Sequence, residues 1–447
     1  MSPELVSIIA LVVLFIAGTL LPINMGALGF VAAWLVGMYS LGLTEREIIG
    51  GISGDLVLTL VGVTYLFAIA RNNGTVDLIV SAAVRSVGGR VALIPWVMFV
   101  VTGVLTAIGA ASPAACAIIG PIALGFAGRY RISPLLMGML VVHGAQAGGF
   151  SPISIYGAIT NSVMAKNNLP VDEITVFLTS LLVNLVIAIV LFVALGGHKL
   201  WSQRLEDIEL DPTPGEDRED GGVGGVDGGG GTATKSGTTT DVETPTKARL
   251  ADQVITLVAF AVVAFVALVF ERNIGFTAIT AAVLLTAIFP KDQRGAIKQV
   301  AWSTVLLVAG VSTFASILDK AGAPEAVGIW AASLSTVLIG ALILCYVGGI
   351  TSAFASSTAL LPIIIPIAVP LIATGNVSAV AVVAALAVAS TIVDVSPFST
   401  NGALMVANRP DTITEEAYYG QVLRYSVIVT AVGPLLVWAA VVVPGWT

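Results

Sequence analysis

Charge is what this sequence has least of. Asp, Glu, Lys and Arg make up 11% of its 447 residues, against about a quarter in a soluble protein of ordinary composition. Hydrophobic residues make up 57% and mean hydropathy is +0.98, which excludes a soluble globular domain and points to a polytopic membrane protein. Cysteine is nearly absent. Cys116 and Cys345 both sit inside apolar runs, so no disulfide framework is indicated. The first apolar run, Leu5 to Leu21, has no basic flank before it and no small-residue cleavage site after it, so it is expected to be a span and not a removable signal peptide. The net charge of −7 gathers largely in one loop and says nothing about a substrate.

What is present is a set of long apolar runs with breaks in telling places. Spans are expected at about 5–21, 26–42, 56–70 and 174–196, and again at 252–270, 274–290, 302–318 and 421–444. Between Leu135 and Lys166 the apolar run would be about 48 Å long as one helix, against a hydrocarbon core of about 30 Å. It breaks at Gly148, Gly149 and Pro152, beside Ser151 and Ser154. Proline removes an amide donor and glycine loosens the chain. A second broken segment, 378–408, carries the same signature: GGFSPISIYGAI (Gly148 to Ile159) matches VDVSPFSTNGAL (Val393 to Leu404), with Pro397 at the second break. The stretches 92–127 and 335–373 are also interrupted, at Gly109 to Pro113 and at Phe354 to Thr358.

Matches continue along both halves. Asn24 and Gly26 pair with Asn273 and Gly275, Gly62 and Gly74 with Gly310 and Gly322, and Pro121 with Pro366. The expected organisation is a first repeat at 1–199, an acidic, glycine- and threonine-rich disordered linker at 200–250, and a second repeat at 251–447. The linker glycines are no phosphate loop, because no Gly-Lys-Ser/Thr follows them. Each half reads as five transmembrane helices plus one re-entrant hairpin, an odd number of crossings, so the second half is inverted.

Lys and Arg set the orientation. With the linker in the cytoplasm, Arg71, Arg85, Arg90, Arg129, Arg131, Lys199, Arg409 and Arg424 fall inside with most other cations, and only Arg46, Lys166, Arg272 and Lys320 fall outside. Both termini are then expected outside the cell membrane.

Two interrupted segments at matching positions of two halves are the best sequence pointer to a transporter's binding site. Broken helices leave amides and carbonyls that only protein or a wet cavity satisfies at membrane depth. A helix that restarts after a break presents partial positive charge, about +0.5 of an elementary charge, at its N-terminus. Several such ends suit a carboxylate where no Lys or Arg lies near the breaks. The candidate substrate-binding residues are Ser112, Ser151, Ser154, Ser356, Ser357, Thr358, Ser396, Ser399, Thr400, Asn401 and His143. Asp394 is the one acidic residue deep in an apolar run. A charge there is costly and marks function, so Asp394, with Gly109, Ser112 and Ser357, is the candidate for the coupling ion or proton. A Ser–His–Asp set from Ser151, His143 and Asp394 has nothing to align it, so an enzyme is not expected.

Gly62 to Val84, Gly88 to Phe99, Gly109 to Ala127 and Ser133 to Asn161 are similar to the N-terminal region of the MatC family of dicarboxylate (malonate) carriers. The resemblance is specific over about residues 55–165. The second half resembles the wider ion transporter superfamily, which includes divalent anion/sodium symporters. The resemblance implies a scaffold and a moving transport domain of elevator type, in a homodimer. It also implies a small C3 or C4 dicarboxylate as substrate and Na⁺ at the hairpin tips. Sodium-coupled relatives carry Ser-Asn-Thr at each tip; this chain has Ala111-Ser112-Pro113 and Ser356-Ser357-Thr358, which leaves Na⁺ and H⁺ both open.

The reading is therefore an all-α secondary transporter of a malonate- or succinate-like dicarboxylate, coupled to Na⁺ or H⁺. It has no other cofactor, and its partners are the substrate and the lipid bilayer, not nucleic acid. An inorganic-ion or cation/proton exchanger of the same superfamily is the alternative.

Overall fold

The computed structural model describes residues 2–21, 23–85, 88–203, 247–270, 272–290, 295–327, 336–353, 357–374 and 377–445. Ser356 and most of the expected linker lie outside them. Among the described residues there is no β-strand. The first half runs α1 (Pro3–Leu20), α2 (Met25–Tyr39), α3 (Glu45–Ile49), α4 (Gly54–Asn72), α5 (Thr75–Arg85), α6 (Ile94–Ala107), α7 (Ser112–Arg129), α8 (Pro134–Gly148), α9 (Ile155–Lys166) and α10 (Glu173–Ala194). The second runs α11 (Lys247–Phe270), α12 (Ile274–Ile288), α13 (Trp302–Lys320), α14 (Val337–Ser352), α15 (Ser357–Thr374), α16 (Ala379–Ile392), α17 (Thr400–Ala407) and α18 (Glu415–Val441).

Helix starts are written in the sequence at matching places. Asn24 and Asn273 cap α2 and α12, Ser133 and Ser378 cap α8 and α16, and Ser154 and Ser399 cap α9 and α17, each accepting from an amide of the first turn. Such a cap contributes about 1 kcal/mol and fixes where the chain turns into helix. Gly74 and Gly322, just past the ends of α4 and α13, both take positive φ (78° and 75°), the left-handed conformation that ends a helix cheaply only at glycine.

Close helix contacts rest on missing side chains. Lipid tails are as apolar as leucine, so membrane helices associate by tight packing of small residues. Here α2 lies against α13 and α12 against α4. A Cβ on Gly310 would run into the Gly26 carbonyl, and one on Gly62 would come within 2.6 Å of the Gly275 carbonyl oxygen. Inside the first half, Gly144 and Gly148 sit one turn apart on α8 and let the Phe99 and Gly103 carbonyls of α6 approach. The largest apolar cluster draws chiefly on α6–α10 and α14–α18. A second joins α1, α2 and α13, and a third joins α4, α11 and α12.

Among the described residues, six helices are long and apolar enough to cross a membrane: α4, α7, α10, α11, α13 and α18. The chain is a membrane protein. Two expected spans are shorter than the run of apolar sequence implied. At 15 residues each, α2 and α12 are about 22 Å long, because Ser40 and Phe289 close them before the apolar run ends.

Two further features depart from the expectation. The amphipathic helix α5 was not anticipated, since Asp77 and Arg85 interrupt its apolar character and hide it from a search for spans. The linker assigned to 200–250 is helical at both edges. Leu200 to Ser202 belong to a 3₁₀ turn, and α11 begins at Lys247, where Lys, Ala, Arg and Leu are all good helix formers running into an apolar span.

Candidate functional site

The interruptions fall where the sequence put them. α6 ends at Ala107 and α7 restarts at Ser112; α8 ends at Gly148 and α9 restarts at Ile155; α16 ends at Ile392 and α17 restarts at Thr400. After each serine-proline break the chain folds back over the first turn of the next helix. A Cβ on Gly157 would collide with the Ser151 carbonyl, and one on Gly402 with the Ser396 carbonyl. This explains why the matched Gly157 and Gly402 stand after the breaks.

The N-termini of α7, α9, α15 and α17 converge on one cavity of about 340 Å³. Its wall includes Ala111, Ser112 and Pro113 from the start of α7, and Ile155 and Tyr156 from α9. Thr358 comes from α15 and Thr400 from α17. The rest of the wall is Ala110 and Gly149 beside the breaks, Asn24 before α2, and Ser303, Thr304 and Leu307 of α13. Among the described residues, no Lys, Arg, Asp or Glu lines it. The amides at the start of α7 lack a side-chain cap, because Ala111 occupies the N-cap position. Partial positive charge from helix ends is therefore the cavity's main electrostatic feature.

The expected site residues divide into four groups. Ser112, Thr358 and Thr400 line the cavity. A second group lies buried and shapes the breaks. The Ser151 hydroxyl donates to the Ala107 carbonyl at 2.5 Å, tying the first break to the first hairpin. Ser154 and Ser399 cap their helices and donate to the Ser151 and Ser396 carbonyls, each at 2.7 Å. Ser396 Oγ accepts from the Phe398 amide at 3.1 Å. Ser357 Oγ lies 2.7 Å from Ser352 Oγ, across the second hairpin.

Asp394 and Asn401 form the third group, behind the cavity wall. Asn401 Nδ2 donates to Asp394 Oδ2 at 2.9 Å and to Ser112 Oγ at 2.8 Å. Asn401 is fully buried and, among the described residues, its Oδ1 has no partner. Thus the acidic residue of the second broken segment is joined, through one amide, to the tip of the first hairpin. Gly109 makes that tip possible. It takes φ 109°, a conformation left to glycine, and a Cβ there would collide with Val63 of α4.

His143 stands apart. Its Nδ1 lies 2.8 Å from Asn184 Oδ1 and its Nε2 2.5 Å from Tyr425 Oη, in a fully buried setting. Both ring nitrogens are occupied by packing partners, so it neither lines the cavity nor forms a triad with Ser151 and Asp394.

Sequence reasoning missed Tyr156, Asn24, Ser303 and Thr304. Tyr156 held a signal, because it occupies the position matched to Asn401 in the second repeat. The structure uses the two positions alike. Asn401 reaches Ser112, and the Tyr156 hydroxyl faces the side chains of Ser357 and Thr358, the matched start of the other hairpin. Gly149, matched to Asp394, gives its side-chain space to the Tyr156 ring, 2.8 Å from where its Cβ would be.

Paired broken helices whose restarts converge on one cavity, in a helical membrane protein, are the architecture expected of a transporter's binding site. Residues 1–149 match the family described as dicarboxylate carrier protein MatC N-terminus. The structure is similar to the crystal structure of the Alcanivorax borkumensis YdaH transporter, described as having an unusual topology. The TM-score is 0.56 and the identity 11%, over 98% of this chain and 98% of that one. Both matches are to transporters and neither is to an enzyme. No curated protein sequence matches significantly.

Proposed function

We propose that the chain is a secondary transporter that carries a small dicarboxylate across the membrane, driven by Na⁺ or H⁺. The observation that carries this reading is the convergence of four helix N-termini on a cavity that no charged side chain lines among the described residues. A dianion held there meets amide dipoles and hydroxyls in place of a fixed cation, which lets it bind and leave without breaking an ion pair. Ser112, Thr358, Thr400 and Tyr156 supply the hydroxyls. The match of residues 1–149 to a dicarboxylate carrier family supports the substrate class.

Asp394 is the group for the coupling ion in this reading. Its carboxylate, the unpartnered Asn401 Oδ1 and Ser112 Oγ are hard oxygens of the kind that suits Na⁺, and the carboxylate alone suits a proton. A buried carboxylate that gains a cation loses the penalty of its charge, and through Asn401 that change reaches the wall at Ser112. The reciprocal contacts Gly26–Gly310 and Gly62–Gly275 support the reading of two inverted repeats, each helix of one half meeting the complementary helix of the other. That arrangement supports a moving unit, α6–α10 with α14–α18, against a scaffold of α1, α2, α4 and α11–α13.

Uptake of labelled malonate and succinate into proteoliposomes, under an inward Na⁺ gradient, an inward H⁺ gradient or neither, tests the proposal. Uptake that needs one gradient and is competed by unlabelled dicarboxylates is expected. No uptake under any gradient by folded protein would reject the substrate class and turn attention to inorganic ions.

A further inference from the structure

The two halves match in sequence but are not used alike, and the differences fall on one side of the molecule. The repeat register is set by contact. Gly26 abuts the backbone of Leu306 and Leu307, and Gly275 abuts that of Leu58 and Thr59. Ser303, Thr304, Leu307 and Asn24, which line the cavity, therefore have as counterparts Asp55, Leu56, Thr59 and Asn273. Leu56 and Thr59 are buried, at 2% and 5% exposure.

The counterpart side is shut. Ser162 of α9 donates to Asp55 Oδ2 at 3.3 Å, and Asn273 Nδ2 donates to Asp55 Oδ1. Between α9, α4, α13 and α15 lies a crevice of about 20 Å³. On this side α13 lies along α15 and α4 along α9, while the related pairs α4/α7 and α13/α17 make at most slight contact. Ile153, at the first break, is 7% exposed and packs into the cluster of Val63 and Ala278. Its counterpart Phe398 is 56% exposed.

We propose that this structure is one of two alternating arrangements, and that Asp55, held between Ser162 and Asn273, is the latch that shuts the far side. When the latch opens, Asp55, Leu56, Thr59 and Asn273 take the lining positions that Ser303, Thr304, Leu307 and Asn24 hold here. Phe398 then packs against the scaffold and Ile153 is uncovered. By the distribution of Lys and Arg, the open side is the cytoplasmic one and the latched side the external one. Only the Ser162–Asp55 bond joins the moving α9 to the fixed α4; the Asn273–Asp55 bond lies within the scaffold, as does its counterpart Asn24–Ser303 on the open side, and serves to hold Asp55 in place. The inference rests on the paired-repeat reading above and not on the identity of the substrate.

The test is the labelling rate of single cysteines in reconstituted protein in which Cys116 and Cys345 are replaced by Ala. T59C is treated with a membrane-impermeant maleimide from the external side and S303C from the cytoplasmic side, each with and without Asp55→Ala. Losing the one hydrogen bond that joins the two units, about 1 kcal/mol, shifts a two-state balance about fivefold. T59C is expected to react about fivefold faster once Asp55 is removed, and S303C to react more slowly. Ser162→Ala, which takes one oxygen from a half-buried side chain, is expected to act in the same direction and guards against a folding defect in the first variant. Unchanged rates at both cysteines in Ser162→Ala and in folded Asp55→Ala would overturn the latch. Labelling needs no substrate, so a shifted rate without dicarboxylate uptake would reject the substrate class and leave the latch standing.

Discussion

Asp394 shows how much one residue depends on its neighbours. By itself it is a carboxylate at a depth where charge costs about 2.5–3.5 kcal/mol on insertion scales. In place, it has the Asn401 amide at 2.9 Å, and that amide also holds Ser112 at the cavity wall. Asp394→Asn keeps the shape and removes the charge. It is expected to lower gradient-driven dicarboxylate uptake at least about tenfold, the effect of losing about 1.4 kcal/mol of coupling, while counterflow of substrate at equal ion concentrations falls less. Uptake with unchanged ion dependence, measured in the same vesicles, would remove Asp394 from coupling. At this scale legibility was uneven. The depth of Asp394 can be read from the apolar run around it, whereas the fate of His143 cannot, because Asn184 and Tyr425 come from distant parts of the chain.

At the scale of elements, breaks and caps were the readable part. Glycine, proline and serine act through local backbone geometry, so the interruptions at Ser151–Pro152 and Ser396–Pro397 could be placed from sequence. Why glycine follows each break needed the fold: the returning chain presses the Ser151 and Ser396 carbonyls onto Gly157 and Gly402. Gly402→Ala is therefore expected to destabilise the protein by about 1–3 kcal/mol, the usual cost of overpacking. Its thermal midpoint in detergent should fall. Gly420→Ala, where nothing lies within 4 Å of the added carbon, should leave it nearly unchanged. A midpoint unaltered by Gly402→Ala would show that the break can relax. Helix α5 marks the limit of this kind of reading, because an eleven-residue amphipathic helix carries too little apolar signal to stand out among spans.

For the whole molecule, the distribution of Lys and Arg predicts which side each loop faces. Lys199 and Lys166 are both exposed at helix ends. A cysteine replacing Lys199 is expected to react with impermeant thiol reagent only from the cytoplasmic side, and one replacing Lys166 only from outside. The opposite pattern in intact cells would invert the topology, and with it the side assigned to the Asp55 latch.

The sequence by itself determined the membrane class, the positions of the breaks, the matches of Asn24 with Asn273 and Ser112 with Ser357, and the isolation of Asp394 in an apolar run. These follow from composition, helix length against bilayer thickness, and residues that act on their own backbone. Only the tertiary structure decided that the four helix ends share one cavity, that Asn401 bridges Asp394 to Ser112, and that Tyr156 faces the opposite hairpin. It alone decided that matched residues are used unequally, with Ser303 lining the cavity and Asp55 hydrogen-bonded to Ser162 and Asn273. The reason is physical. Matching stretches of sequence give both halves the same local preferences, but which of the matched residues line the cavity and which are packed away depends on contacts between residues far apart in the chain.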